Sequence, residues 1–298
     1  MNKTIVTTLV AVAIGLAGQA NAQFAGAVVD YTPGTLLNSE WDTGQPFNNP
    51  NAVLGQPGGM CDPNTWPNVY SLFNPPDDTT ALTGIGAGGQ LTLQLQNYVN
   101  VSPVTVSPVA YGIGVWSNVG LRDVSAGYVG TTGSSAATIS PPSSAVVSVS
   151  ADGFHWITLN SGSAITFGMP GNYYLNAGPY DSSAPATPQL ANFGQPFIVS
   201  GSAGTLSSLD GKTNDQLLAT LNGSAGGTWL SLDGLGLDKV GYIRFSDVPD
   251  NEELDLSTVS INSSLAGAPV PAPEPTGTAF LLIGALALVS AKKRGRRE

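Results

Sequence analysis

Apolar residues recur at every second position in several short stretches of the chain. In residues 88–95, Leu91, Leu93 and Leu95 fall on one side and Thr92 and Gln94 on the other, the period of a half-buried strand. Residues 109–116 repeat the pattern, with Val109, Tyr111, Ile113 and Val115 on one face. Residues 145–150 and 154–159 flank Asp152-Gly153, so they read as a tight hairpin. Further strands are expected at 25–29, within 223–232, at 239–245 and at 254–261, with a weaker one around Tyr128-Val-Gly130. One helix is expected at 214–221, with Asn214 or Asp215 available as its cap. Long loops rich in turn formers fill most of 30–80 and 160–200.

Composition supports the strand reading. The chain has 37 Gly and 22 Pro, and charged residues make up 10%, so the Lys, Glu and Arg that favour long helices are scarce. Many short strands with one short helix predict an all-β class, a sandwich rather than a doubly wound sheet. Residues 23–267 hold four basic side chains (Arg122, Lys212, Lys239 and Arg244) against eighteen acidic ones. Such a surface repels phosphates and anionic lipids, which disfavours nucleic-acid binding. Cys61 is the only cysteine, so the chain has no internal disulfide.

The two ends differ from the middle. Lys3, the apolar run 5–16 and the small residues Ala20 and Ala22 predict a signal peptide over 1–22, cleaved before Gln23. At the other end, proline fixes φ and removes donors, so 268–275 reads as an extended spacer. An uncharged apolar segment follows, within 276–291. Its core of about 15 residues would reach roughly 22 Å as a helix against about 30 Å of hydrocarbon. Lys292, Lys293, Arg294, Arg296 and Arg297 can snorkel and hold a basic tail, 292–298, on the cytoplasmic side.

Pro273-Glu274-Pro275, the short apolar helix with Gly284 and the basic end together resemble the PEP-CTERM sorting domain of Gram-negative bacteria. The resemblance implies a transient inner-membrane anchor that an exosortase-type sorting protease removes, leaving the product at the cell surface or in the extracellular matrix. The alternative is a permanent single-span anchor on a proline-rich stalk.

A second resemblance covers about 52–260. Ala52-Val-Leu-Gly-Gln-Pro57, Gly88-Gly-Gln-Leu-Thr-Leu93, Val147-Ser-Val-Ser-Ala-Asp-Gly153 with Trp156, Gly223-Ser-Ala-Gly-Gly227, Tyr242-Ile-Arg-Phe-Ser-Asp247 and Leu254-Asp-Leu-Ser-Thr-Val259 occur in an order similar to galactose-binding and discoidin-like modules. It implies a jelly-roll-like β-sandwich with long loops. Related chains often carry an acidic Asp-Phe-Val/Leu-Val-Phe-Glu-Asn strand, where this one has Tyr111-Gly-Ile-Gly-Val-Trp-Ser-Asn118.

Candidate chemistry is sparse. His155 is the only histidine, which leaves a Ser or Cys triad without a base beyond it, and no zinc spacing occurs. Trp66, Tyr70, Tyr173, Tyr174 and Trp229 stand in loops or at strand edges, where aromatic rings either plug a sandwich or stack on sugar rings. Trp116 and Trp156 lie within strands and are expected in the core. Asp77, Asp78, Asp247, Asp250 and Glu252 supply hard oxygens in loops, suited to calcium or to plain solvated turns. No cofactor is required, and Ca2+ is the ion these residues suit. The expectation is a non-enzymatic exported protein with a structural or glycan-binding role, in contact with extracellular polysaccharide. A carbohydrate-active hydrolase using loop carboxylates and a calcium-stabilised scaffold are its rivals.

Overall fold

The computed structural model describes residues 23–57, 70–102, 104, 109–176, 178–180 and 189–271. The signal-peptide residues Ala20 and Ala22, the loop with Cys61 and Trp66, and the sorting residues Pro273 to Arg297 lie outside them. Among the described residues no helix is long and apolar enough to cross a membrane.

The described residues form thirteen strands: β1 (Gln23–Thr32), β2 (Thr83–Gly86), β3 (Gln90–Asn100), β4 (Tyr111–Ser117), β5 (Ser143–Ser150), β6 (Ile157–Thr158), β7 (Ile165–Phe167), β8 (Ile198–Val199), β9 (Ser202–Ala203), β10 (Thr228–Ser231), β11 (Lys239–Ser246), β12 (Glu253–Ile261) and β13 (Ala266–Pro269). All but β8 and β9 join one antiparallel sheet, ordered β10-β4-β12-β1-β3-β11-β5-β6, with β2 beside β12, β7 beside β5 and β13 beside β3. The protein is therefore all-β, as its alternating segments predict. β1 is the seam of the curl. Gln23 and Phe24 pair with β12, whereas Ala25 onward pairs with β3. Register shifts after Ala25 and Val28 mark irregularities that bend and twist the strand.

Curling encloses a first core. Leu91, Leu93 and Leu95 of β3, Ile243 and Phe245 of β11 and Val147 and Val149 of β5 pack with Ile113 and Val115 of β4 and Leu254, Leu256, Val259 and Ile261 of β12. Each such side chain contributes about 1.5–3 kcal/mol by leaving water. A second core covers the other side of β4. There Trp116 is fully buried, its ring 5.0 Å from Phe193 and 5.7 Å from Trp229, and its Nε1–H donates to the Ala225 carbonyl at 2.9 Å. The long loops supply the rest of that layer, including Tyr70, Tyr173 and Phe197, with Leu217 and Leu221 from the helix α1 (Asn214–Leu221). β4 is consequently buried on both faces, which the one-sided alternation of 109–116 does not anticipate.

Other expectations are corrected. The helix has the expected span, but its cap is Thr213: Thr213 is extended and forms a capping box with Gln216, whose Oε1 accepts from Thr213 N at 3.0 Å. Residues 128–130 form no strand, because Tyr128 takes φ 55° and Gly130 φ 77°, which turns the chain. The hairpin of β5 and β6 exists, with Ser148 opposite Thr158, but its connection spans 151–156 rather than two residues. Asp152 organises that loop by accepting from the backbone N–H groups of Phe154 and His155 and from the His155 ring. The folded domain also runs past 267. β13 pairs with β3, Val270 is buried in the first core, and Gln94 Nε2 donates to the Pro271 carbonyl at 2.5 Å.

Candidate functional site

The alternation Glu253-Leu-Asp-Leu-Ser257 on β12 sends Leu254 and Leu256 into the first core and turns the polar residues to the opposite face. That face is not left to solvent. Glu253 is 3% exposed and Asp255 is 1% exposed. β2 pairs alongside with Gly86 opposite Glu253 and Gly84 opposite Asp255, so the neighbouring strand presents no side chains there. A Cβ on Gly84 would lie 2.2 Å from Glu253 Oε1 and 3.2 Å from Asp255 Oδ1. Glycine is the residue that leaves room for the two carboxyl groups.

Loops close the site. Glu253 Oε2 accepts from the Leu37 N–H and, at 2.7 Å, from the Asn38 N–H. Asp255 Oδ2 accepts from Asn38 Nδ2 at 2.7 Å and from Asn118 Nδ2 at 2.9 Å. Among the described residues the inner oxygens, Glu253 Oε1 and Asp255 Oδ1, have no donor, and the two carboxyls lie within hydrogen-bonding reach of each other. Among the described residues no lysine or arginine forms a salt bridge with either carboxyl. Burial first, then the Glu253 charge and the contact between the two groups, pushes the Asp255 carboxyl up to about 8. Tyr31 completes the surroundings. Its hydroxyl donates to the Gly84 carbonyl at 2.8 Å, and burial followed by the charges of Glu253 and Asp255 raises it to about 12.

Above the pair opens a pocket of about 540 Å³, walled by the 37–39 loop, Phe47, Asp77, Asn118, residues 140–143 and residues 251–253. Its polar groups are amides, hydroxyls and carboxylates, the set that hydrogen-bonds polyols or holds a hard cation. Asp77 stands at the exposed rim. Desolvation, then the charges of Glu40, Asp78 and Asp42, raises its carboxyl to about 6. Two residues beyond Ser39, Trp41 is 88% exposed.

The expected site residues are dispersed. Tyr70, Tyr173, Tyr174 and Trp229 are all buried in the second core. The Tyr70 and Tyr173 rings meet edge to face, the Tyr173 hydroxyl donates to Ser257 Oγ, and Trp229 Nε1–H donates to the Gly226 carbonyl. These four are plugs in this structure, and of them Trp229 also borders a surface pocket of about 430 Å³ beside residues 159–166. Trp116 is core, as expected; Trp156 instead lies under the Arg244 guanidinium, 3.9 Å from its ring centroid.

The acidic candidates do not converge either. Asp247 and Asp250 are exposed, Glu252 accepts from the Ser144 N–H at 2.7 Å, and Asp78 accepts from the Tyr70 hydroxyl and from Thr80. Only Asp77 and Glu252 of the five line the pocket. Among the described residues no three His, Cys, Asp or Glu side chains converge as a metal group. His155 is exposed at its loop tip, and its hydrogen bonds hold the Asp152 carboxyl below the usual range.

Sequence reasoning passed over Asp255, Asn38, Asn118 and Trp41, and it counted Glu253 with the acidic loop at 250–253 rather than with the strand that begins there. The period of β12 was the available signal for Glu253 and Asp255, since it places both carboxyls on one face. The chain matches no protein-family profile and no curated protein.

Proposed function

We propose that this chain is an exported, PEP-CTERM-sorted surface or matrix protein, non-enzymatic, with a structural or glycan-binding role in the exopolysaccharide layer. The observation that carries the proposal is the order of signals along the sequence. A cleavable leader precedes the β-rich domain, and a Pro-Glu-Pro triplet, apolar segment and basic end follow it. On this reading the curled sheet is a jelly-roll sandwich of the galactose-binding and discoidin-like kind, and the pocket over β12 is the glycan site. Support for the site comes from its amide and carboxylate lining and the exposed Trp41 ring nearby, the mixture of apolar face and polar rim that sugars use.

Two measurements test this. Mass spectrometry of the exported product is expected to find residues 276–298 removed, and retained when the sorting protease is deleted. An intact tail in both strains sinks the sorting claim. Co-sedimentation with native exopolysaccharide is expected to fall at least several-fold on Trp41→Ala with Asn118→Ala. Equal retention of variant and parent removes the pocket from the glycan claim.

Asp77 favours a second reading, a carbohydrate-active hydrolase. A rim carboxyl raised to about 6, in the pocket that Glu252 also lines, lies in the range of a general acid. Purified protein that releases sugars from a panel of glycans, and loses that activity by about 100-fold or more in Asp77→Asn, would establish it. No released product in any member of the panel discards it.

A further inference from the structure

We propose that Glu253 and Asp255 form a binding site for a hard divalent cation of the calcium type, beneath the floor of the pocket and separate from the exposed acids at 247–250. Both side chains are more than nine-tenths buried, yet among the described residues one oxygen of each has no hydrogen-bond donor. Their outer oxygens are held by Leu37 N, Asn38 N, Asn38 Nδ2 and Asn118 Nδ2, which fixes the inner oxygens side by side. Gly84, lacking a Cβ, lets those oxygens lie close against β2.

Two carboxylates in a desolvated site need positive charge. Among the described residues the charged and titratable groups around them are Tyr31 from β1, Asp77 from the rim and Glu252 from the approach to β12, none of which is a cation. One shared proton would leave a net negative charge, whereas a divalent ion neutralises both. The donors are oxygens, and His155 lies on the exposed loop between β5 and β6, so the set suits calcium rather than zinc or copper. Two carboxylates leave most coordination positions to carbonyls, hydroxyls and water; Glu253 lines the pocket above, while both inner oxygens are closed to solvent, so an ion enters only as the 37–39 loop shifts. A low ligand charge places the affinity at about 10⁻⁴–10⁻³ M, the range of extracellular calcium modules.

The bound ion would tie the 37–39 loop and Asn118 to β12 through the same two side chains. The proposal does not depend on glycan binding.

The test is a thermal melt of the purified protein, stripped with chelator and returned to about 10 mM calcium at pH about 9, where few protons compete. The expected rise in midpoint is about 3–8 °C. Asp255→Asn is expected to abolish the rise, while Asp247→Asn with Asp250→Asn retains it. An unchanged wild-type midpoint, or a rise that survives Asp255→Asn, overturns the proposal and leaves the pair as a shared-proton contact. Terbium supplies a second readout that needs no substitution at the carboxylates. Tyr31-sensitised emission is expected from the parent, displaced by calcium and lost in Tyr31→Phe; no emission from the parent also overturns the site.

Discussion

In the presence of chelator, the protein is expected to lose stability as the pH is raised from about 4 to about 8. The cause is the Asp255 carboxyl. In the unfolded chain it titrates near 3.8, and in the folded protein it holds its proton up to about 8. Between those limits the folded state carries a proton that the unfolded state has released, so unfolding gives off a proton and each rise in pH favours it. The contribution is complete below the unfolded value and gone above the folded one. Its slope approaches about 1.4 kcal/mol per pH unit at most. Urea titrations at several pH values measure it directly. Asp255→Asn, which cannot ionise, is expected to flatten the profile and to be more stable than the parent at the alkaline end. A parent whose stability climbs through this window would show that Asp255 is ionised in the fold.

The second large effect belongs to Trp116. Its side chain is fully buried, packs on Phe193 and Trp229, and donates to the Ala225 carbonyl. Trp116→Ala removes that ring and leaves a void among residues drawn from distant loops. The expected loss is about 3–5 kcal/mol, with the Ala225 carbonyl deprived of its donor as well. Trp116→Phe keeps part of the ring and is expected to fall well short of that loss. Chemical denaturation followed by near-ultraviolet circular dichroism distinguishes the two, because the aromatic cluster dominates that signal. A cost below about 1 kcal/mol for the alanine variant would mean that the loop layer holds together without its central ring.

The difference between these sites explains what could be read from the chain. β3, β11 and β12 were legible because one face of each packs apolar side chains on the first core while the other face carries mainly polar ones, covered or not, and that alternation writes period 2 into the sequence. α1 was legible for its span but not its cap, since Thr213, Asn214 and Asp215 are all plausible cap types and only backbone geometry selects among them. The aromatic loop residues carried no period at all. Tyr70, Tyr173 and Phe193 meet through chain separations of up to about a hundred residues or more, and a ring in a loop looks the same whether it turns inward or out. The carboxyl pair lay between these cases. Its strand face was implied by the alternation of β12, but its enclosure depends on Leu37, Asn38 and Asn118, which no local pattern connects to residue 255.

The last paired strand limits how the chain can be handled after folding. Val270 is tucked into the first core and the Pro271 carbonyl is held by Gln94, so Pro273 follows only two residues later. Even fully stretched, that leaves about 7 Å of slack between the sheet and the Pro-Glu-Pro triplet. Any enzyme that severs the chain there must work almost in contact with the folded body. A bulky catalytic cleft would be obstructed unless several residues were inserted after Pro271 or β13 were peeled away.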